Sequence, residues 1–110
     1  MALGAQERLR SLPARFELMQ NYPNPLSPTT TIRYGLPDRS EVTIKVYTVL
    51  GEEVATLVEG AVAPGYHFAE WKATDRWGRA LPPGMYMYGM RAISTKRDVF
   101  YQVRKMVLLK

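Results

Sequence analysis

The sequence predicts an all-β chain in which seven short strands fold as an antiparallel sandwich. Three observations carry that prediction. Apolar and polar residues alternate in separate runs, as in "EVTIKVY" (41–47), where Val42, Ile44 and Val46 share one side. Eight glycines and eight prolines punctuate these runs at short intervals. No stretch holds the helical apolar period long enough for a credible helix.

"FELMQ" (16–20) is the expected first strand. It leads into "NYPNPLSPTTTIRYGLP", where Pro23, Pro25 and Pro28 fix their own φ and hold Tyr22, Asn24 and Ser27 extended. Losing three ladder donors, this segment has to be an edge, a bend or a crossing between sheets. "TIRYGL" (31–36) alternates with Ile32, Tyr34 and Leu36 on one side, and 41–47 follows as the third strand. Gly51 supplies a turn before "EEVATLV" (52–58).

A turn at "APG" (63–65) opens a fifth strand that closes at Trp71. Its faces compete, His67, Ala69 and Trp71 against Tyr66, Phe68 and Glu70, and the Trp71 face is the one expected inward. "DRWG" (75–78) and "LPPG" (81–84) bound a polar loop. "MYMYGMRA" (85–92) and "VFYQVRKMVLL" (99–109) are the sixth and seventh strands, joined by the basic hairpin "STKRD" (94–98). "PGMY" (83–86) puts Tyr86 where a tyrosine corner would sit, its hydroxyl bonding upstream backbone while its ring packs. The expectation is therefore a seven-stranded antiparallel immunoglobulin-like β-sandwich.

At 110 residues the chain has room for one small domain, placed at 16–110, with 1–15 as a linker or leader of mixed charge interrupted by Gly4 and Pro13. A hydrophobic share of 46% and a charged share of 23% are those of a globular chain rather than a disordered one. No uninterrupted apolar run approaches the ~20 residues of a membrane-spanning helix. Gln6, Glu7 and Arg8 follow the start without an apolar signal core, so the chain reads as intracellular or as the downstream piece of a longer one. With no cysteine there are no disulfides, thiolate metal sites or cysteine nucleophiles.

The net charge of +5 has a location. Positive and negative side chains balance through residue 90, and residues 91–110 carry Arg91, Lys96, Arg97, Arg104, Lys105 and Lys110 against Asp98 alone. Such a cluster either guards a closing edge strand against aggregation or forms an electrostatic contact for an acidic partner. The counts leave both open, because they do not say whether the side chains share a face.

Catalytic, cofactor and metal sites are not expected. His67 is the lone histidine, nothing like Gly-x-Ser-x-Gly accompanies it, and it reads as a packed or rim residue. Glu52 and Glu53 are neighbours on a strand, so their carboxylates diverge. Asp75 lacks the alternating acidic ligands of a calcium loop and reads as the first residue of a turn that Gly78 ends. No phosphate loop or nucleic-acid recognition motif accompanies the basic residues. Among the aromatics, Trp71 and Tyr86 are expected in the core. Trp77, between Arg76 and Gly78 in a polar turn, is a candidate contact residue for a carbohydrate-binding surface.

The order of motifs carries further. "FELMQNYPNPLSPTTTIRYGLP" (16–37), "VTIKVYTVLGEEVATLVEG" (42–60), "APGYHFAEWKATDRWGRALPPGMYMYGM" (63–90) and the closing "RKMVLLK" (104–110) together resemble the type A C-terminal sorting domain of type IX secretion cargo, known from Bacteroidetes and related bacteria. The resemblance covers 16–110. Leu26 and Ser27 stand where the pattern usually has Phe and Asn, and "ATDRWG" replaces a commoner Asp-Gly-rich turn.

What the resemblance implies is a non-enzymatic sorting and cell-surface attachment domain at the end of a secreted enzyme or adhesin. Its partners would be outer-membrane secretion and sortase-like proteins, with anionic lipopolysaccharide as the surface joined. The protein would be secreted or held at the outer-membrane surface. The implied recognition set is Arg104, Lys105, Met106, Val107, Leu108, Leu109 and Lys110, with Asn24 and Pro25 in a structural opening motif and Gly51, Gly65, Gly78 and Gly84 at turns. The immunoglobulin-like domain of flagellar hook-capping proteins is similar in its Pro-Asn-Pro opening and Gly-x-Tyr strand. Such a domain would sit inside a longer chain, so the terminus is what separates the two. The alternative from another class is a carbohydrate-binding module of a glycoside-degrading enzyme.

Overall fold

Seven strands run through residues 12–109, the part of the chain that the computed structural model describes. Residues 1–11 of the expected leader and Lys110 of the expected recognition set lie outside the described residues. The strands are β1 (Glu17–Leu18), β2 (Thr30–Leu36), β3 (Ser40–Thr48), β4 (Glu53–Val62), β5 (Gly65–Trp71), β6 (Gly84–Ser94) and β7 (Val99–Leu108). They form a three-stranded sheet, β1-β2-β5, and a four-stranded sheet, β4-β3-β6-β7, antiparallel throughout. The fold is the immunoglobulin-like β-sandwich that the alternation predicted.

Alternation decides which side chains meet between the sheets. Val42, Ile44 and Val46 of β3 and Tyr88, Met90 and Ala92 of β6 are buried against Leu18, Ile32, Leu36 and Trp71 of the smaller sheet. Each large apolar side chain so placed contributes roughly 1.5–3 kcal/mol. The competing faces of β5 resolve as expected: Ala69 and Trp71 point inward, and Phe68 is left 69% exposed. His67 is a rim residue, its Nε2 2.8 Å from the Ala63 carbonyl oxygen.

Tyr86 makes the expected corner. Its hydroxyl donates to the Pro82 carbonyl at 2.6 Å, and its buried ring meets Trp71 edge-on at 5.8 Å. The Trp71 indole N–H is satisfied by the Thr74 carbonyl at 3.0 Å, which ties the start of the 73–81 loop to the core.

Strand ends shift by a residue or two in most elements, and two strands differ most for their length. β1 is confined to Glu17–Leu18 rather than 16–20, because Asn21 turns its N–H to the Tyr88 hydroxyl and leaves the ladder. β4 runs on to Val62 rather than ending at 58. It passes through Gly60, whose φ of +141° suits a residue without Cβ. Val58 pairs with Ile44 and Thr56 with Lys45, so Leu57 is the extra residue of a bulge.

Candidate recognition site at the last strand

β7 is the end strand of its sheet, paired to β6 on one side. The backbone on its other side is engaged by the proline segment. Leu26 donates to the Val107 carbonyl at 2.9 Å, and Leu109 donates to the Leu26 carbonyl at 2.8 Å. The Val107 N–H donates to Asn24 Oδ1 at 2.9 Å, and Gln20 Nε2 donates to the Lys105 carbonyl at 2.8 Å. Residues 20–26 therefore form a strap that seals the edge of β7 from 105 to 109. Of the edge, the bend and the crossing that the three prolines left open, the structure shows a crossing between sheets; the peptide bonds before Pro23, Pro25 and Pro28 are cis.

The strap is held by buried polar groups. Asn21, 2% exposed, donates through Nδ2 to Thr30 Oγ1 at 3.0 Å and to the Pro23 carbonyl at 3.2 Å. Its side-chain oxygen accepts from Gln20 Nε2 at 2.7 Å, and Thr30 Oγ1 donates to the Pro23 carbonyl at 2.9 Å. The fully buried Tyr88 hydroxyl donates to the Met19 carbonyl at 2.6 Å and accepts from the Asn21 N–H at 2.8 Å. Burial pushes its pKa up to about 12. Buried polar groups are costly when unpaired, so this set fixes one path for the strap.

The expected recognition residues divide by this geometry. Met106 and Leu108 are core residues, at 0% and 4% exposure. Arg104 is half-buried, and its Nε donates to the Leu18 carbonyl at the end of β1. Val107 is half-buried with both backbone groups bonded to the strap. Lys105 and Leu109 present side chains to solvent.

The basic residues do not share a face. Arg91 and Lys105 stand on the outer surface of the four-stranded sheet, Arg104 turns inward, and Lys96 and Arg97 occupy the hairpin turn. Lys96 is paired there with Asp38 at 3.4 Å.

Ahead of Lys105 the edge is open. In an antiparallel ladder the backbone groups of alternate residues turn to the same side, so Val99, Tyr101 and Val103 face away from β6 as Val107 does. Among the described residues nothing hydrogen-bonds to that stretch from outside the sheet. The side chains of Val99, Tyr101 and Val103 are 64%, 61% and 41% exposed.

Trp77 stands apart from this site, 70% exposed at the tip of the 75–79 turn. Asp75 builds the turn as expected, its Oδ1 accepting from the Trp77 and Arg79 N–H groups at 2.9 Å and its Oδ2 from Arg79 Nε at 2.8 Å. Burial works against the Asp75 charge, but these bonds hold the carboxyl below its usual range. Guanidinium groups of Arg79 and Arg76 lie 4.8 and 5.4 Å from the Trp77 ring centroid, so the ring is already flanked by cations.

Sequence reasoning gave Asn24 a structural place but missed Gln20, Asn21 and Tyr88. The signal that could have found them is polar residues beside prolines that delete ladder donors, since the remaining backbone groups need partners.

The sequence profile of the FlgD Ig-like domain family matches residues 27–96. That span includes β2 to β6 and stops before β7. No curated protein matches the chain. Among solved structures, the chain is similar to dimeric latent PorU from Porphyromonas gingivalis at 18% identity and a TM-score of 0.70, over 86% of this chain and 9% of that one. FlgD from P. aeruginosa matches at 26% identity and a TM-score of 0.57, over 72% of this chain and 61% of that one. PorZ, a surface component of the type-IX secretion system of Porphyromonas gingivalis, matches at 17% identity and a TM-score of 0.52, over 83% of this chain and 11% of that one. The chain thus spans a small part of PorU and PorZ and under two thirds of FlgD.

Proposed function

The chain belongs to the FlgD Ig-like domain family, and from that premise we propose that it is the C-terminal sorting and surface-attachment domain of a secreted bacterial protein, read by type IX secretion machinery. The supporting observation is the strap: the opening Asn-x-Pro-Asn-Pro motif and the closing strand, both called for by the sorting-domain resemblance, are hydrogen-bonded to each other through Asn24 and Val107. Fold similarity to PorU and PorZ is consistent with this reading. The domain acts without catalysis. Its partners are outer-membrane secretion and sortase-like proteins, and anionic lipopolysaccharide is the surface to which the cargo is joined.

The mechanism follows from what the strap leaves uncovered. Lys105 on β7 and Leu109 just beyond it are held by hydrogen bonds of their backbone to the strap, so a partner binds them without first ordering a tail. The open backbone at Val99–Val103 is where a partner strand adds, with Lys96 and Arg97 at the adjoining turn steering its approach.

A reporter fused ahead of residues 16–110 tests the proposal in a type IX-competent bacterium. It reaches the medium or the cell surface if the reading holds, and stays inside the cell if it does not. Exposure of Trp77 favours a second reading, a carbohydrate-binding module, which retention on polysaccharide abolished by Trp77→Ala would support.

A further inference from the structure

The outer face of the smaller sheet carries a trough of about 400 Å³ lined by Met19, Gln20, Tyr22, Thr31, Arg33 and Phe68. Register explains it. Thr31 and Arg33 of β2 form its floor, with Phe68 of β5 opposite Arg33 on one side and Tyr22, bridged to Thr31, on the other. Tyr22 is 81% exposed and Phe68 69%, unusual for two large rings beside a single concavity.

Arg33 supplies the charge. Its guanidinium lies 4.2 Å from the Tyr66 ring centroid, a cation–π contact that uses none of its N–H donors. Among the described residues no carboxylate pairs with it. Glu70, opposite Thr31, is not part of the lining.

We propose that this trough binds an acidic saccharide, a pyranose bearing a carboxylate or phosphate, with Tyr22 and Phe68 stacking on the sugar and Arg33 holding the anion. The chemistry of the lining selects that class. Aromatic walls suit the C–H faces of a pyranose, the Thr31 hydroxyl suits its hydroxyl edge, and a guanidinium with no carboxylate partner among the described residues suits an anion. The volume is that of a small-ligand site, whereas a protein partner would be met by a flatter and wider surface. This inference does not rest on the sorting proposal; Gln20 and Tyr22 of the strap border the trough.

The test is titration of the full 110-residue chain, followed by amide NMR shifts, with hexagalacturonate for carboxylate, phosphomannan oligosaccharide for phosphate, and cellohexaose as the neutral control. At least one acidic probe is expected to shift residues 19–22, 31–33 and 66–68 and to bind roughly tenfold or more tighter than cellohexaose. Arg33→Gln and Phe68→Ala each weaken it roughly tenfold. Both substitutions are on exposed side chains, and an unchanged unfolding midpoint verifies the fold. Failure of both acidic probes, equal binding of the neutral one, or binding insensitive to both substitutions would overturn the proposal. So would displacement of the saccharide by an aromatic, Glu-rich peptide that binds more tightly, which would make this a peptide site.

Discussion

Asn24 accepts the Val107 N–H through its side-chain oxygen at 2.9 Å, joining positions 83 residues apart. A backbone donor at the sheet edge is thus satisfied by a side-chain acceptor from the proline segment. Replacing Asn24 by Ala leaves the Val107 N–H without its partner, and about 0.5–1.5 kcal/mol of stability should go with it. Asn24→Asp keeps an acceptor and should retain most of it. Urea unfolding measures both, and amide hydrogen exchange at Val107 should quicken in the Ala variant alone.

Tyr88 gives the fold an alkaline limit. Its folded pKa of about 12 stands above the ordinary 10.0, so below pH 10 both states are neutral and its contribution is complete. Above that the unfolded chain ionises first, and stability falls as pH rises from 10 toward 12, by roughly 1.4 kcal/mol per unit for this group. Burial raises the pKa of Tyr34 and Tyr86 in the same direction. Tyr88→Phe should flatten the alkaline fall while costing about 1–3 kcal/mol at neutral pH, since the Met19 carbonyl and Asn21 N–H lose their partner. Denaturation midpoints across pH 8–12 would check it.

Among the described residues the hydroxyl of Tyr86 bonds only to the Pro82 carbonyl, so the corner can be weighed by itself. Tyr86→Phe keeps the packing against Trp71 and should cost about 0.5–1.5 kcal/mol. Thermal unfolding measures it.

Within β7 the inward and outward positions should behave oppositely. Met106→Ala opens the core and should cost about 2–5 kcal/mol, whereas Lys105→Glu, on an exposed side chain, should stay within about 0.5 kcal/mol. Chemical denaturation of the pair checks the assignment of faces.

Much of the fold was legible because it depends on local alternation. Val42, Ile44 and Val46 announce a half-buried strand whatever surrounds them, and "PGMY" announced the corner because its hydrogen bond spans four residues. The strap was not legible in this way. Tyr88 sits in an ordinary alternating strand, and only the arrival of Met19 and Asn21, 67 to 69 residues earlier in the chain, gives its hydroxyl a purpose. Arg104 is the clearest case on the recognition side. Counted as charge it belongs with Lys105, yet one step along a strand reverses the face, and its guanidinium bonds to Leu18.

The most direct test of the account separates recognition from folding at the terminus itself. A reporter fused to residues 16–110 is compared with the same fusion carrying Lys105→Glu, Leu109→Asp and Lys110→Glu, after urea unfolding of both domains. Unchanged stability with the variant reporter retained inside a type IX-competent cell is the predicted result. Export of the folded variant at the level of the unaltered fusion would contradict the claim that the last strand is what the machinery reads.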